Sequence, residues 1–202
     1  MAISTYAELQ TAIADFLNRD DLTSVIPNFI TLAEANIARG LRHWRQEKRV
    51  TTTLDETFET LPADFIELES IYINDQRQLE LISLGEMSRR RLATNSEAGE
   101  PRFYCINSNQ IEFYPTPDQD YELTMVYIAR VDPLSDVDTT NWLLNYHPDV
   151  YLYASLLQSA PYLRDDARLT VWGGLYSSAV QALNMESKRS KHSGAVLKLR
   201  NK

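Results

Sequence analysis

The sequence predicts an α+β fold in which helices from both ends of the chain form one bundle around an inserted antiparallel β-rich region. Apolar residues recur at helical spacing in residues 1–48 and again in 133–187. Between them, residues 49–132 alternate in the two-residue period of strands and carry turn residues at the breaks. Residues 188–202 hold six basic residues and no acidic one, which predicts a flexible basic arm.

The N-terminal helices are predicted from their caps and apolar stripes. Thr5 and Glu8 fit a capping box, in which each satisfies a backbone N–H of the other. The first stripe that follows is Tyr6, Leu9, Ile13, Phe16 and Leu17. Pro27 suits the first turn of a second helix, where its missing N–H does little harm. The second stripe is Phe29, Ala33, Ile37 and Leu41.

The β-rich region is predicted to contain two hairpins, a strand at residues 66–72 whose return strand follows a turn at residues 74–75, and one short helix. Residues 51–54 and 57–61 flank an Asp-Glu pair, which indicates a first hairpin. Residues 102–106 and 111–114 indicate a second hairpin, around residues 107–109. Ser83 is the expected cap of a helix that ends near Leu92. A last strand carries the alternating residues Tyr121, Leu123, Met125 and Tyr127.

The C-terminal helices differ in their expected surroundings. Residues 150–160 are apolar on nearly every face, which predicts a buried central helix that Pro161 ends or kinks. A longer helix is predicted over residues 164–189, roughly 35–40 Å in length. Its two central glycines, Gly173 and Gly174, each cost about 1 kcal/mol of helix propensity, and they predict close helix packing or a bend.

The chain has no recognisable catalytic or cofactor-binding motif. Its three histidines are not spaced as local metal ligands, and no phosphate-binding glycine loop is present. Cys105 lies in an aromatic, strand-like run and is expected to be a packed thiol. The paired carboxylates, such as Asp165 and Asp166, fall at predicted helix starts and turns. We therefore expect a protein that is not an enzyme and uses no cofactor and no metal.

The arginines at the predicted end of the second helix have three possible roles. Arg42, Arg45 and Arg49 can bind DNA phosphates, form surface ion pairs, or meet an acidic face of a neighbouring subunit. The net charge is -8, and the arm accounts for +6, so residues 1–187 carry -14, which opposes DNA binding. Tyr151 and Tyr176 are further candidates for a subunit interface.

Several stretches of the sequence resemble the tailed-bacteriophage head-to-tail adaptor family, whose members are also called head-completion or connector proteins. Order and spacing agree along nearly the whole chain, up to about Leu183. The stretches are TYAELQTAI at 5–13, FLNRDDL at 16–22, IPNFITLAE at 26–34, LPADF at 61–65, GEPRFY at 99–104, NWLL at 141–144, HPDVYLYA at 147–154 and APYLRDD at 160–166.

This resemblance implies a structural protein of the virion neck, assembled in the host cytoplasm. Family members form rings, usually of twelve subunits, that dock below the portal, extend the DNA channel and receive tail or nozzle proteins. DNA is then expected to pass without sequence-specific binding, and no membrane is involved. The family's C-terminal segment reaches along the portal, so the expected docking residues here are Lys188, Arg189, Lys191, Lys198, Arg200 and Lys202.

Two other functions are compatible with the same sequence. The first is a tail-completion or neck subunit that faces the tail rather than the portal. The second is a packaging-associated hydrolase that uses carboxylates and a bound metal. The location of the protein in the virion separates the first alternative from a portal adaptor, and inhibition by a chelator would identify the second.

Overall fold

The computed structural model describes residues 3–93, 98–163 and 167–192 and confirms the α+β class. The chain divides into two compact units, Met1–Arg45 with Val131–Lys202, and Gln46–Arg130. The helices are α1 (Tyr6–Leu17), α2 (Ile26–Gly40), α3 (Leu84–Ala93), α4 (Trp142–Tyr146), α5 (Pro148–Gln158) and α6 (Arg168–His192). The strands are β1 (Glu47–Leu54), β2 (Phe58–Thr60), β3 (Phe65–Ile73), β4 (Arg77–Gln78), β5 (Glu80–Leu81), β6 (Phe103–Asn107), β7 (Gln110–Tyr114) and β8 (Tyr121–Ala129).

Helices α1 and α2 begin as their sequences predict, and α1 also ends as expected. The predicted end of α2 is wrong, because the helix stops at Gly40, before most of the arginines expected at its end. The capping box is present, since Glu8 N–H donates to Thr5 Oγ1 at 3.3 Å and Thr5 N–H donates to Glu8 Oε2 at 3.0 Å. Asn18 ends α1 in the left-handed conformation, with φ of 53°. Pro27 lies in the first turn of α2. The predicted second stripe is buried at Phe29, Ala33, Ile37 and Leu41.

Helix α5 is the centre of the helical unit, as its apolar sequence predicts. It contacts α1, α2, α4 and α6. The residues that it buries are Val150, Tyr151, Leu152, Ala154, Ser155 and Leu156. Contact with four other helices explains why most faces of α5 carry apolar residues.

Helix α6 has 25 residues and is therefore about 37 Å long. It begins at Arg168, and residues 164–166 of the predicted helix lie outside the described residues. The helix is continuous through Gly173 and Gly174. A Cβ added at Gly173 would meet Leu157 at an ordinary 3.8 Å, and one at Gly174 would meet nothing within 4 Å. The expected close packing at these glycines is therefore wrong.

The β unit contains two four-stranded sheets, ordered β1-β8-β3-β4 and β2-β7-β6-β5. The predicted hairpin of residues 51–54 with 57–61 is wrong, because β1 pairs with β8 and β2 pairs with β7. The Asp-Glu turn at residues 55–56 instead carries the chain from one sheet to the other. The second predicted hairpin is confirmed as β6 and β7, with Ser108 in its turn at φ of 55°.

One hydrophobic cluster joins residues of both sheets. It includes the alternate residues of β8 that the sequence predicts as one face, from Tyr121 to Tyr127. Ile111 and Phe113 of β7 belong to the same cluster. Helix α3 begins where Ser83 Oγ accepts the N–H of Glu86, as expected from the sequence. It lies against β6.

Candidate interaction surfaces

The C-terminal part of α6 presents basic side chains while its inner face is anchored. Lys188, Arg189 and Lys191 are exposed on the helix. On the inner face, Asn184 accepts the N–H of Arg42 at 2.9 Å and donates to the Gly40 carbonyl at 3.0 Å. These bonds fix the helix, so the basic side chains lie on a rigid support. Lys198, Arg200 and Lys202 of the predicted arm lie outside the described residues.

A row of stacked aromatic and cationic side chains forms a second surface, within the helical unit. The guanidinium of Arg45 lies 4.7 Å from the ring centroid of Trp44 and 4.5 Å from that of Tyr146. Trp44 then contacts His43 at 5.4 Å, and His43 stacks on Trp142 at 5.1 Å. We call the exposed outer part of this row, Trp44, Arg45 and Tyr146, the stacked surface.

The stacked surface is held in place by the chain around it. The segment after α2 is anchored where Ser187 Oγ of α6 accepts the N–H of Trp44 at 2.9 Å. His43 is buried at 1% exposure. Its burial lowers the pKa of the imidazole, against the raising effect of Glu186, whose carboxylate lies 3.9 Å from Nε2. The outer residues are exposed at 38% for Trp44 and 62% for Tyr146.

The three predicted interface arginines have separate environments. Arg42 donates from Nη1 to the carbonyls of Ala38 and Leu41, at 2.9 and 2.8 Å, and so caps the end of α2. Arg45 belongs to the stacked surface. Arg49 lies on β1 rather than at a helix end, and its guanidinium pairs with Asp75 at 2.8 Å. Their proximity in sequence therefore does not make one basic patch.

The two predicted interface tyrosines pack on the helical core. Tyr151 is 1% exposed, and its hydroxyl accepts from Asn141 Nδ2 at 2.7 Å. Burial raises the pKa of Tyr151 well above its ordinary value. Tyr176 is half-buried against the same core, and burial raises its pKa as well. Tyr151 is thus a core residue, while part of the Tyr176 side chain remains exposed to solvent.

A short acidic loop forms a third surface. Its aspartates belong to the carboxylates that the sequence places at turns, and the sequence does not predict an interface there. Val137 is 89% exposed between two exposed carboxylates, Asp136 and Asp138. Ser135 fixes this turn, because its hydroxyl accepts the N–H groups of Val137 and Asp138 at 3.2 and 2.9 Å. We call residues 132–138 the acidic loop. In the sequence this loop is recognisable as a valine, Val137, between two aspartates that follow Pro133.

The net charge of the chain is concentrated in the β unit. Residues 46–130 contain 16 acidic and 8 basic residues, a net -8. The rest of the chain contains 12 of each sign and is neutral overall. The acidic character that the sequence assigns to residues 1–187 therefore belongs mainly to the β insert.

The described residues hold no cluster of three or more His, Cys, Asp or Glu that could bind a metal ion. Cys105 is buried, and burial together with the nearby carboxylate of Glu112 raises the pKa of its thiol to about 11. Such a thiol is almost wholly protonated at neutral pH and is a poor nucleophile. No helix among these same residues is both long and apolar enough to cross a bilayer.

The described residues thus expose an aromatic and cationic surface, a basic helix end and an acidic loop. The sequence profile of the SU10 adaptor protein family matches residues 4–198, and the chain belongs to this family. It is therefore a bacteriophage adaptor, a structural protein of the virion. The resemblance that its sequence motifs indicate is confirmed at the level of the family. No curated protein matches the chain.

Proposed function

We propose that this adaptor forms a ring of twelve subunits that docks on the portal, extends the DNA channel and provides the platform for tail proteins. The observation that carries the proposal is membership of an adaptor family along nearly the whole chain, residues 4–198. Rings of identical subunits need distinct complementary surfaces on each copy. The stacked surface and the acidic loop are two such surfaces on the helical unit.

The basic end of α6 supports docking through the C-terminal segment. Three exposed cations stand on a helix that Asn184 and Ser187 anchor, and three more follow in residues 198–202. One such segment binds weakly, because ordering it opposes the gain from its contacts. A ring presents many copies at once, so the combined affinity rises steeply through effective concentration.

The charge of the β unit supports a channel that does not retain DNA. Its net charge of -8 repels phosphate groups, so a wall formed by this unit lets DNA slide without binding. Under this proposal the acidic side chains of the insert line the channel in the assembled ring. A cryo-EM map of the neck with a positively charged channel would contradict this part of the proposal.

Docking is tested with portal protein purified from the same phage. We expect the adaptor to co-sediment with portal and to appear as a closed ring of twelve copies by cryo-EM. If the adaptor does not bind this portal and occurs in virions only next to tail proteins, it is a tail-facing neck subunit instead.

The role of the basic segment is tested by a truncation after His192 and by the triple change of Lys188, Arg189 and Lys191 to Glu. Both variants should bind portal at least tenfold more weakly at physiological salt. Thermal unfolding gives the control for folding. Arg89→Glu, an exposed change on α3, should leave portal binding unchanged. Docking that survives both changes would exclude the segment as the portal contact.

A further inference from the structure

We propose that the stacked surface of one subunit binds the acidic loop of the next copy in the ring. In this contact, Arg45 pairs with the carboxylates of the acidic loop, and Val137 packs against the rings of Trp44 and Tyr146. The inference rests on the proposed function, because it assumes that copies of the chain lie side by side.

The environment of Arg45 favours a partner that carries a carboxylate. It is exposed, and no carboxylate of the described residues forms an ion pair with its guanidinium. Its guanidinium lies over the rings of Trp44 and Tyr146. An arginine placed against aromatic rings can still use its N–H donors to bind a carboxylate through two hydrogen bonds. Because the rings already restrict the side chain, binding loses less conformational entropy than it would for a mobile arginine.

The composition of the stacked surface is typical of residues that dominate binding energy. Trp, Tyr and Arg are the residue types most enriched at such positions in interfaces. Trp44 and Tyr146 remain exposed at 38% and 62% although both are large rings. The row behind them, through His43 and Trp142, is buried or half-buried, so the surface has firm support.

The acidic loop has the properties that this surface requires of its partner. Val137 offers an apolar side chain at 89% exposure, and a carboxylate flanks it on either side. The turn is fixed by Ser135, whose N–H also donates to the Asp138 carbonyl at 3.0 Å. Its base is tied down where Leu134 N–H donates to Glu34 at 2.7 Å. The two surfaces are thus complementary in charge and both carry exposed apolar groups.

The two surfaces are formed by different segments, so one copy can use one surface and its neighbour the other. When such a head-to-tail contact repeats, it closes a ring if the rotation between neighbours divides a full turn, and it gives an open filament if it does not. A contact between two copies of one surface would instead give a two-fold dimer. The proposed pairing is therefore the type that a ring-forming adaptor needs.

Cross-linking between two differently tagged populations tests the pairing. One population carries Tyr146→Cys and the other Val137→Cys, and the mixture is oxidised both on purified portal and alone at high concentration. We expect mixed-tag disulfide dimers, and we expect neither variant to cross-link to itself. Because the tags differ, a mixed dimer cannot come from a bond within one chain.

Three cross-linking outcomes would overturn the inference. They are the absence of mixed dimers in both conditions, Tyr146→Cys cross-linked to itself, and Tyr146→Cys cross-linked to portal in place of a second copy. Failure of the unmodified protein to bind portal is a separate result. It would reject the proposed function, while the mixture without portal would still decide the pairing.

Charge reversal gives a second test that does not depend on disulfides. Arg45→Glu should reduce ring assembly at least tenfold, and so should Asp136→Lys combined with Asp138→Lys. All three changes in one chain should restore assembly, because the charges are then exchanged. Arg89→Glu on α3 is the matched control and should assemble normally. The pairing is excluded if Arg45→Glu assembles like the unmodified chain, or if the triple variant is no better than either parent while circular dichroism shows that it is folded.

Discussion

Glu34 on α2 accepts a 2.7 Å hydrogen bond from the backbone N–H of Leu134, which lies 100 residues further along the chain. The hydroxyl of Tyr151 on α5 also donates to the same Oε1, at 3.4 Å. One carboxylate thereby ties the acidic loop to two helices of the core. Burial raises the pKa of Glu34, although both hydrogen bonds act to lower it.

Glu34→Gln should flatten the dependence of stability on pH. The folded pKa of Glu34 is raised, so its protonated carboxyl group contributes to the free energy of unfolding. This contribution is fully present below the unfolded pKa, about 4.3. That contribution is lost as pH rises through the folded pKa. Gln keeps an acceptor for Leu134 and does not ionise. Urea unfolding between pH 4 and 8 measures this, and equal pH profiles for both proteins would contradict it. Glu34→Ala removes the acceptor and should cost about 1–3 kcal/mol.

Asp64 should stabilise the protein at neutral pH and not at low pH, which is the reverse of Glu34. The loss of stability in Asp64→Asn should therefore appear at neutral pH. Burial works against ionisation of Asp64, but hydrogen bonds from Lys48 at 2.6 Å and Tyr127 at 2.9 Å outweigh it and lower the pKa. The ionised carboxylate therefore stabilises the fold above its unfolded pKa, about 3.9, and this stability is lost as pH falls through the folded pKa.

The expected cost of Asp64→Asn is up to about 1 kcal/mol at pH 7 and close to zero at the lowest pH where the protein stays folded. Denaturant titrations at both pH values measure the difference. Asp75→Asn is the matched control, since it breaks the more exposed pair with Arg49 and should cost less. A cost for Asp64→Asn that does not change with pH would show that the lost contact is not electrostatic.

Asn141→Ala should be among the most destabilising single changes in the helical unit. Asn141 Oδ1 accepts the N–H of Leu144 and caps α4, while Nδ2 donates to the Asp132 carbonyl and to Tyr151, both at 2.7 Å. Loss of the cap and of buried hydrogen bonds should cost about 2–4 kcal/mol. Ser83→Ala, an exposed cap of α3, should cost about 1 kcal/mol. Similar midpoints for both variants in urea would be evidence against this network.

Gly174→Ala should stabilise the protein by about 1 kcal/mol, because alanine has the higher helix propensity and its Cβ meets no atom within 4 Å. Gly173→Ala places its Cβ 3.8 Å from Leu157 and should also be tolerated. Thermal unfolding of both variants measures the effect. If Gly174→Ala keeps the isolated protein stable but weakens assembly on portal, the glycine is part of an interface.

The sequence predicts local features well, because their causes lie within a few residues. The capping box at Thr5, the stripe of α2 and the apolar α5 all follow from spacing alone. The β6–β7 hairpin is also local and is confirmed. The partner of β1 is not local, since Leu54 lies opposite Tyr121, and alternation in a strand does not specify which strand it joins.

The same distinction applies to the candidate surfaces. Arg42, Arg45 and Arg49 are near one another in sequence, but one caps a helix, one stacks on rings and one lies on a strand. Tyr146, which completes the stacked surface, is separated from Arg45 by about half of the chain. Sequence spacing cannot reveal such a pair, because only the folded chain brings Tyr146 of α4 against the short segment that follows α2.

The two ends of the β insert lie side by side in one sheet. Glu47 at the start of β1 lies opposite Ile128 near the end of β8, and residues opposite one another in antiparallel strands are about 5 Å apart. A short peptide can therefore bridge the gap that remains when residues 46–130 are excised. The helical unit can thus be closed without the insert, and the insert can be replaced without changing the sequence of the helices.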